Sequence, residues 1–129
     1  MKSVKKKIKW MDAPEDQDFS AALSYLELIS EPATAKRIVS KYSKAKITEV
    51  KAKDVIRAAQ LPLLGATNFH VAKDLRKIEK RVALSPILLV RGDAAKSIPL
   101  VIADGYHRAC AVYFYDEDAY IKVKLVEWK

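Results

Sequence analysis

The 129 residues, half of them hydrophobic and 31% charged, suit one globular domain that closes a core of its own. One cysteine, Cys110, rules out an internal disulfide, no Cys/His group has zinc spacing, and no apolar run is long enough to cross a bilayer. The net charge is +8, and the basic start has no apolar stretch behind it, so no secretory leader is expected and the cytoplasm is the expected compartment.

In chain order, Lys5 to Trp10 alternates weakly and reads as a strand. "PEDQDFSAALSYLELIS" opens with Pro14 and acidic residues, which suit the positive end of a helix. Phe19, Ala22, Leu23, Leu26 and Ile29 then fall on one helical face. Pro32 opens a second helix, with Ala35, Ile38, Val39 and Tyr42 inside, so the two form a helical hairpin. "KITEVKA" is a short strand, "AKDVIRAAQ" a short helix, and "LPLLGATN" a break carrying Pro62 and Gly65. A third long helix follows, capped by Thr67 or Asn68, with Val71, Leu75, Ile78 and Val82 as its buried stripe.

Two apolar runs come next, "PILLVR" (86–91) and "IPLVIA" (98–103), separated by Gly92-Asp93 turn chemistry. Continuous apolar runs of this kind indicate strands covered on both faces. "YHRACAVYFY" is a helix ended by Asp116-Glu117-Asp118, and "YIKVKLVEW" a closing strand. The expected class is therefore α+β: a small sheet with packed helices in one domain, in which residues 1–45 add a strand and the hairpin to a core spanning 46–129.

The charge is uneven. Lys2, Lys5, Lys6, Lys7 and Lys9 crowd the start, Asp12 to Glu31 is acidic, and positive charge dominates from Lys36 to Arg91. Such a middle attracts phosphate, on a nucleotide or on nucleic acid, although a solvated lysine surface explains the same composition.

The stretch that carries chemistry is "VIADGYHRAC" (101–110), where a strand hands over to a helix. A helix start presents unpaired N–H groups and partial positive charge, a natural seat for phosphate. Gly105 lets backbone approach a ligand or take a positive φ. Arg108 can fork onto phosphate oxygens and His107 can donate to them, while Asp104 can cap the helix or orient a hydroxyl or a metal-bound water. On the third helix His70, Lys73 and Lys77 share one edge, spaced to add positive charge to the same ligand. The plain alternatives are an Asp-Gly turn, a capping aspartate and a solvated basic face.

Helix "VAKDLRKI", strand "SPILLV", strand and helix "LVIADGYHRACA" and strand "IKVKLV" occur in the order of the ParB/sulfiredoxin-like superfamily, which residues from about Thr48 onward resemble. The chain also looks like a group of small bacterial ParB-like proteins through "AKDVIRAA", "LPLLG", "SPILLVRG" and "IADGYHRACA". The resemblance implies that Gly105, Tyr106, His107 and Arg108 hold nucleotide phosphates, as the Gly-Cys-His-Arg segment of sulfiredoxins holds ATP and the corresponding ParB segment holds CTP. It implies a supporting role for His70, Lys73 and Lys77, and Asp104-Gly105 resembles the junction of ParB-like free serine kinases. Tyr106 stands where sulfiredoxin has its reactive cysteine, and a phenol does not perform thiolate chemistry, so sulfinic-acid reduction is not expected.

The functional expectation is a protein that binds the phosphates of ATP or CTP, with Mg²⁺, as a phosphotransferase or hydrolase in which Asp104 and His107 are the catalytic residues and no side-chain metal site is present. The alternative is a non-catalytic DNA-binding or partition-type accessory that contacts nucleic acid through the basic N-terminus. It would lack the helix-turn-helix reader that follows this domain in ParB, since the chain stops at Lys129. A membrane partner is not expected. The hairpin is read as cover for the sheet or as an interaction module, and Trp10 and Trp128 as packed together or forming a homodimer contact.

Overall fold

Acidic residues at the start of the first apolar-periodic run set the first helix, α1 (Asp16–Ile29), where the Asp18 carboxylate accepts the backbone N–H of Glu15 at 2.9 Å. Pro32 begins α2 (Pro32–Tyr42), its missing N–H costing nothing in a first turn. The computed structural model describes residues 6–129, and the remaining strands and α-helices are β1 (Ile47–Lys51), α3 (Ala52–Ala59), α4 (Phe69–Glu79), β2 (Ile87–Val90), β3 (Val101–Asp104), α5 (Tyr106–Tyr115) and β4 (Tyr120–Val126). Asn68 caps α4, its side chain accepting the N–H groups of His70 and Val71 at 2.9 and 3.2 Å. The class is α+β, and among the described residues no helix is long and apolar enough to cross a membrane.

The sheet runs β1-β4-β2-β3, with β4 and β2 parallel and the outer pairs antiparallel. All four β2 residues are buried, because alternate side chains enter two different cores. Ile87 and Leu89 pack with α3, α4 and α5 through Val55, Val71 and Val112. Leu88 and Val90 pack with the hairpin through Leu26, Ile38 and Tyr42. The hairpin is thus the cover of the sheet's second face: Ala22, Leu26, Ala35, Ile38 and Tyr42 are fully buried and Phe19, Leu23 and Val39 partly so, while Ile29, at the end of α1, is exposed.

β3 lies at an edge and carries the irregularity that matters for function. Leu89 pairs with Ile102 but Leu88 pairs with Asp104, so β3 advances two residues while β2 advances one. Alternation would send Asp104 to the face of Ile102. The bulge instead returns it to the face of Leu88, beneath the hairpin.

Four expectations need correction. Within Lys5 to Trp10, Lys5 lies outside the described residues, as does Lys2, and Trp10 makes only a single bridge, to Leu84. Pro86, two residues on, has no N–H with which to extend that ladder. The α4 stripe ends at Ile78: the helix stops at Glu79, Arg81 takes φ 63°, and Val82 is exposed. The run 98–103 becomes strand only from Val101, since Ile98 closes a loop with Asp93 and Pro99 follows it. Trp10 borders the helical core and Trp128 the hairpin core, so they do not pack together.

Candidate functional site

At the end of β3 the chain turns sharply into α5, and Gly105 makes the turn with φ 106° and ψ 20°. A side chain there would be strained, and its Cβ would stand 2.8 Å from Ile87 Cγ1 and 2.8 Å from Arg108 Nη1. No side chain caps α5 and its first turn has no acidic residue. The N–H groups opening this helix therefore carry the positive end of its dipole with no charge of the same turn to offset it.

Arg108 does not project into solvent. Its guanidinium turns under the helix start toward the hairpin, with Nη2 at 3.5 Å from Asp18 Oδ1 and 3.7 Å from Asp104 Oδ2. All three side chains are largely buried, at 15%, 6% and 16% exposure for Arg108, Asp18 and Asp104. With every group ionised the cluster has one cation and two carboxylates. Arg108 Nη1 and Asp104 Oδ2 are buried without a hydrogen-bond partner, so the cluster is incompletely satisfied. Burial pushes the Asp104 carboxyl up to about 7; Asp18 adds to the rise through its charge and a hydrogen bond, and Arg108 opposes it. The Tyr42 hydroxyl donates to Leu89 O at 3.0 Å, and burial plus the Asp104 charge push its phenol well above the ordinary range. Lys124 Nζ donates to Tyr42 O at 2.8 Å, closing the polar floor of the hairpin core.

On the other side of the helix start, the His107 ring lies 4.7 Å from the His70 ring, centroid to centroid, and 5.6 Å from Tyr106. Burial and His70 hold the His107 imidazole below its usual value, with Asp74 opposing. His107 is therefore neutral at pH 7, with one ring nitrogen able to donate and the other to accept. The Tyr106 hydroxyl donates to Pro62 O, tying α5 to the loop before α4. Cys110, one turn on, is fully buried and its thiol is pushed up by that burial, which makes it a packing residue.

Of the residues singled out in the sequence, the structure brings together Asp104, Gly105, Tyr106, His107, Arg108 and His70. Lys73 is exposed and Lys77 half-buried, and neither side chain has an ion pair or hydrogen bond among the described residues. Asp18 was missed. Its only sequence signal was its place in the acidic first turn of a helix, which capping already explains. The described residues include no group of three or more His, Cys, Asp or Glu side chains placed to hold a metal ion. Among the described residues, surface hollows lie elsewhere. One, of about 490 Å³, is lined by Lys6, Lys7, Trp10, Tyr115, Tyr120 and Lys122, with Glu49 and Asp116 among its other walls. Comparison with models of protein families, with curated proteins and with solved structures finds nothing that matches this chain.

Proposed function

We propose that the opening of α5 is an anion site for the phosphates of a nucleoside triphosphate, ATP or CTP. One observation carries the reading: an uncapped helix start, reached through a left-handed Gly105, has the His70–His107 imidazole pair beside it. The amides of the first turn donate to phosphate oxygens, and the imidazoles donate from the side. Lys73, on the same edge of α4 as His70, adds exposed positive charge. Arg108 supplies fixed charge from beneath, diminished by its two carboxylates. The order of elements and the Asp-Gly-x-His-Arg segment agree with a ParB/sulfiredoxin-like nucleotide binder. Mg²⁺ would come with the phosphates, which supply the charge it neutralises.

In the enzymatic form of this reading the protein is a phosphotransferase or hydrolase acting on the bound nucleotide. Asp104 is already engaged by Arg108 and Asp18, which favours a binding role for the site over a transfer step through this carboxylate. To test the reading, ATP and CTP with Mg²⁺ are titrated against thermal stability. Saturation at a hundred times Kd is expected to add about 2.7 kcal/mol to the unfolding free energy. The expected result is a shift with at least one nucleotide, strongly reduced in the His70→Ala/His107→Ala variant. Absence of any shift at millimolar nucleotide, or an equal shift in that variant, overturns it.

A second reading, the nucleic-acid accessory, is favoured by the hollow at the far end of α5. Its aromatic residues Trp10, Tyr115 and Tyr120 are interleaved with three lysines, the composition of a surface on which bases stack while phosphates meet charge. Labelled single-stranded oligonucleotides should then bind in low salt, quench tryptophan fluorescence, and bind less well to Tyr120→Ala. Unchanged anisotropy at low salt removes this reading and leaves the first intact.

A further inference from the structure

We propose that Asp18, although it sits on the hairpin, is a positioning residue of the α5 site: it holds Arg108 beneath the helix start and makes anion binding there depend on whether Asp104 carries a proton. The inference rests on the anion reading of the site and adds its regulation. The bulge in β3 turns Asp104 to the hairpin face, and the first turn of α1 places Asp18 against it. Arg108 reaches round the sheet edge to both. Three charged side chains from three elements thus meet where only one is cationic. Unpartnered atoms on Asp104 and Arg108 mark the arrangement as one that another state can satisfy better.

The groups facing Asp104 determine the outcome. Asp18 comes from α1, the Tyr42 phenol from α2, Arg108 from α5, and Lys124 of β4 bonds the Tyr42 carbonyl. When Asp104 is neutral, Asp18 and Arg108 form a balanced pair and the Asp104 hydroxyl can donate to Asp18. When Asp104 ionises, the cluster has a net negative charge directly under the amides that would receive a phosphate. An anion at the α5 opening therefore favours protonated Asp104, and by reciprocity protonation favours the anion. Asp18 acts through this: its carboxylate both repels an ionised Asp104 and accepts from a neutral one, so it sets where the change occurs. The His107 imidazole also changes charge with pH, so the comparison keeps it in every variant.

The experiment follows the aspartate side-chain carboxyl carbons by NMR across pH 4–9 in the whole protein, with Asp104→Asn assigning the signal. In wild type Asp104 is expected to titrate near neutrality, and in Asp18→Asn its midpoint should fall by about a unit or more. Adding inorganic triphosphate should raise the wild-type midpoint by roughly one unit. Correspondingly, Asp104→Asn should bind triphosphate roughly tenfold more tightly than wild type at pH 8, and about equally at pH 5.5. A midpoint unchanged in Asp18→Asn overturns the role of Asp18. A midpoint that falls in Asp18→Asn, in a protein that binds triphosphate without any shift of Asp104, overturns the coupling. Failure to bind triphosphate at any pH, with the Asp18→Asn shift intact, overturns the anion reading itself and the coupling with it.

Discussion

Replacing Arg108 by alanine is expected to destabilise the protein by about 3 kcal/mol at pH 8, the usual scale for removing one partner of a buried ion pair. For a domain of this size that lowers the melting temperature by roughly 10 °C. The reason is what remains behind. Asp18 and Asp104 would face each other with exposures of 6% and 16% and no cation between them. The loss has a pH signature. In the wild type the Asp104 carboxyl is raised from 3.8 to about 7, so between those values the folded state binds more protons than the unfolded one. Its contribution to stability is therefore fully present below about 4 and is lost as pH rises toward 7. Without Arg108, which opposes that rise, the effect grows, so the deficit of Arg108→Ala should be largest at pH 8 and shrink toward pH 5. Adding Asp104→Asn to Arg108→Ala should restore part of the loss, a non-additive result expected of groups in one cluster. Urea denaturation of wild type, Arg108→Ala, Asp104→Asn and the double variant at pH 5 and pH 8 measures this. A loss below about 1 kcal/mol at both values, or strict additivity, shows that the cluster does not carry the energy assigned to it.

This cluster also shows how far the sequence was legible. Local periodicity was enough for the hairpin: Leu26, Ile38 and Tyr42 are buried where 3.6-residue spacing puts them. The apolar run over β2 correctly implied cover on both faces, because only a strand between two cores is apolar at every position. The strand-to-helix junction was legible from Asp104-Gly105. The partners that decide its chemistry were not, because they depend on long-range pairing. Asp104 faces the hairpin through a bulge that exists only when β3 is registered against β2, and two-residue alternation predicts the opposite face. The first-turn position of Arg108 permits a phosphate fork, and nothing local says that a helix ninety residues earlier places a carboxylate within reach. Val82 failed for a different reason: the stripe continued in the sequence after the backbone had left the helix at Lys80.

Gly105→Ala is the second large effect, also expected at about 3 kcal/mol, and it arises from geometry alone. At φ 106° any residue with a Cβ is strained by roughly 1–2 kcal/mol. The added methyl also meets Ile87 Cγ1 at 2.8 Å, and Ile87 is fully buried in the middle of the helical core. It cannot yield without moving β2, which packs on both faces, so overpacking adds about 1–3 kcal/mol. On the other side the methyl meets Arg108 Nη1, also at 2.8 Å, and the guanidinium must move within a cluster that already lacks partners. Gly65→Ala is the control, since its new Cβ has no neighbour nearer than Phe114 Cζ at 4.0 Å and should change stability by less than about 0.5 kcal/mol. Denaturation of the two variants side by side separates the requirement for glycine at the junction from a general cost of replacing glycine. Equal stabilities would mean that the chain can turn into α5 by another path. The tight seat of Arg108, and the charge it lends the helix start, would then not be built into the fold.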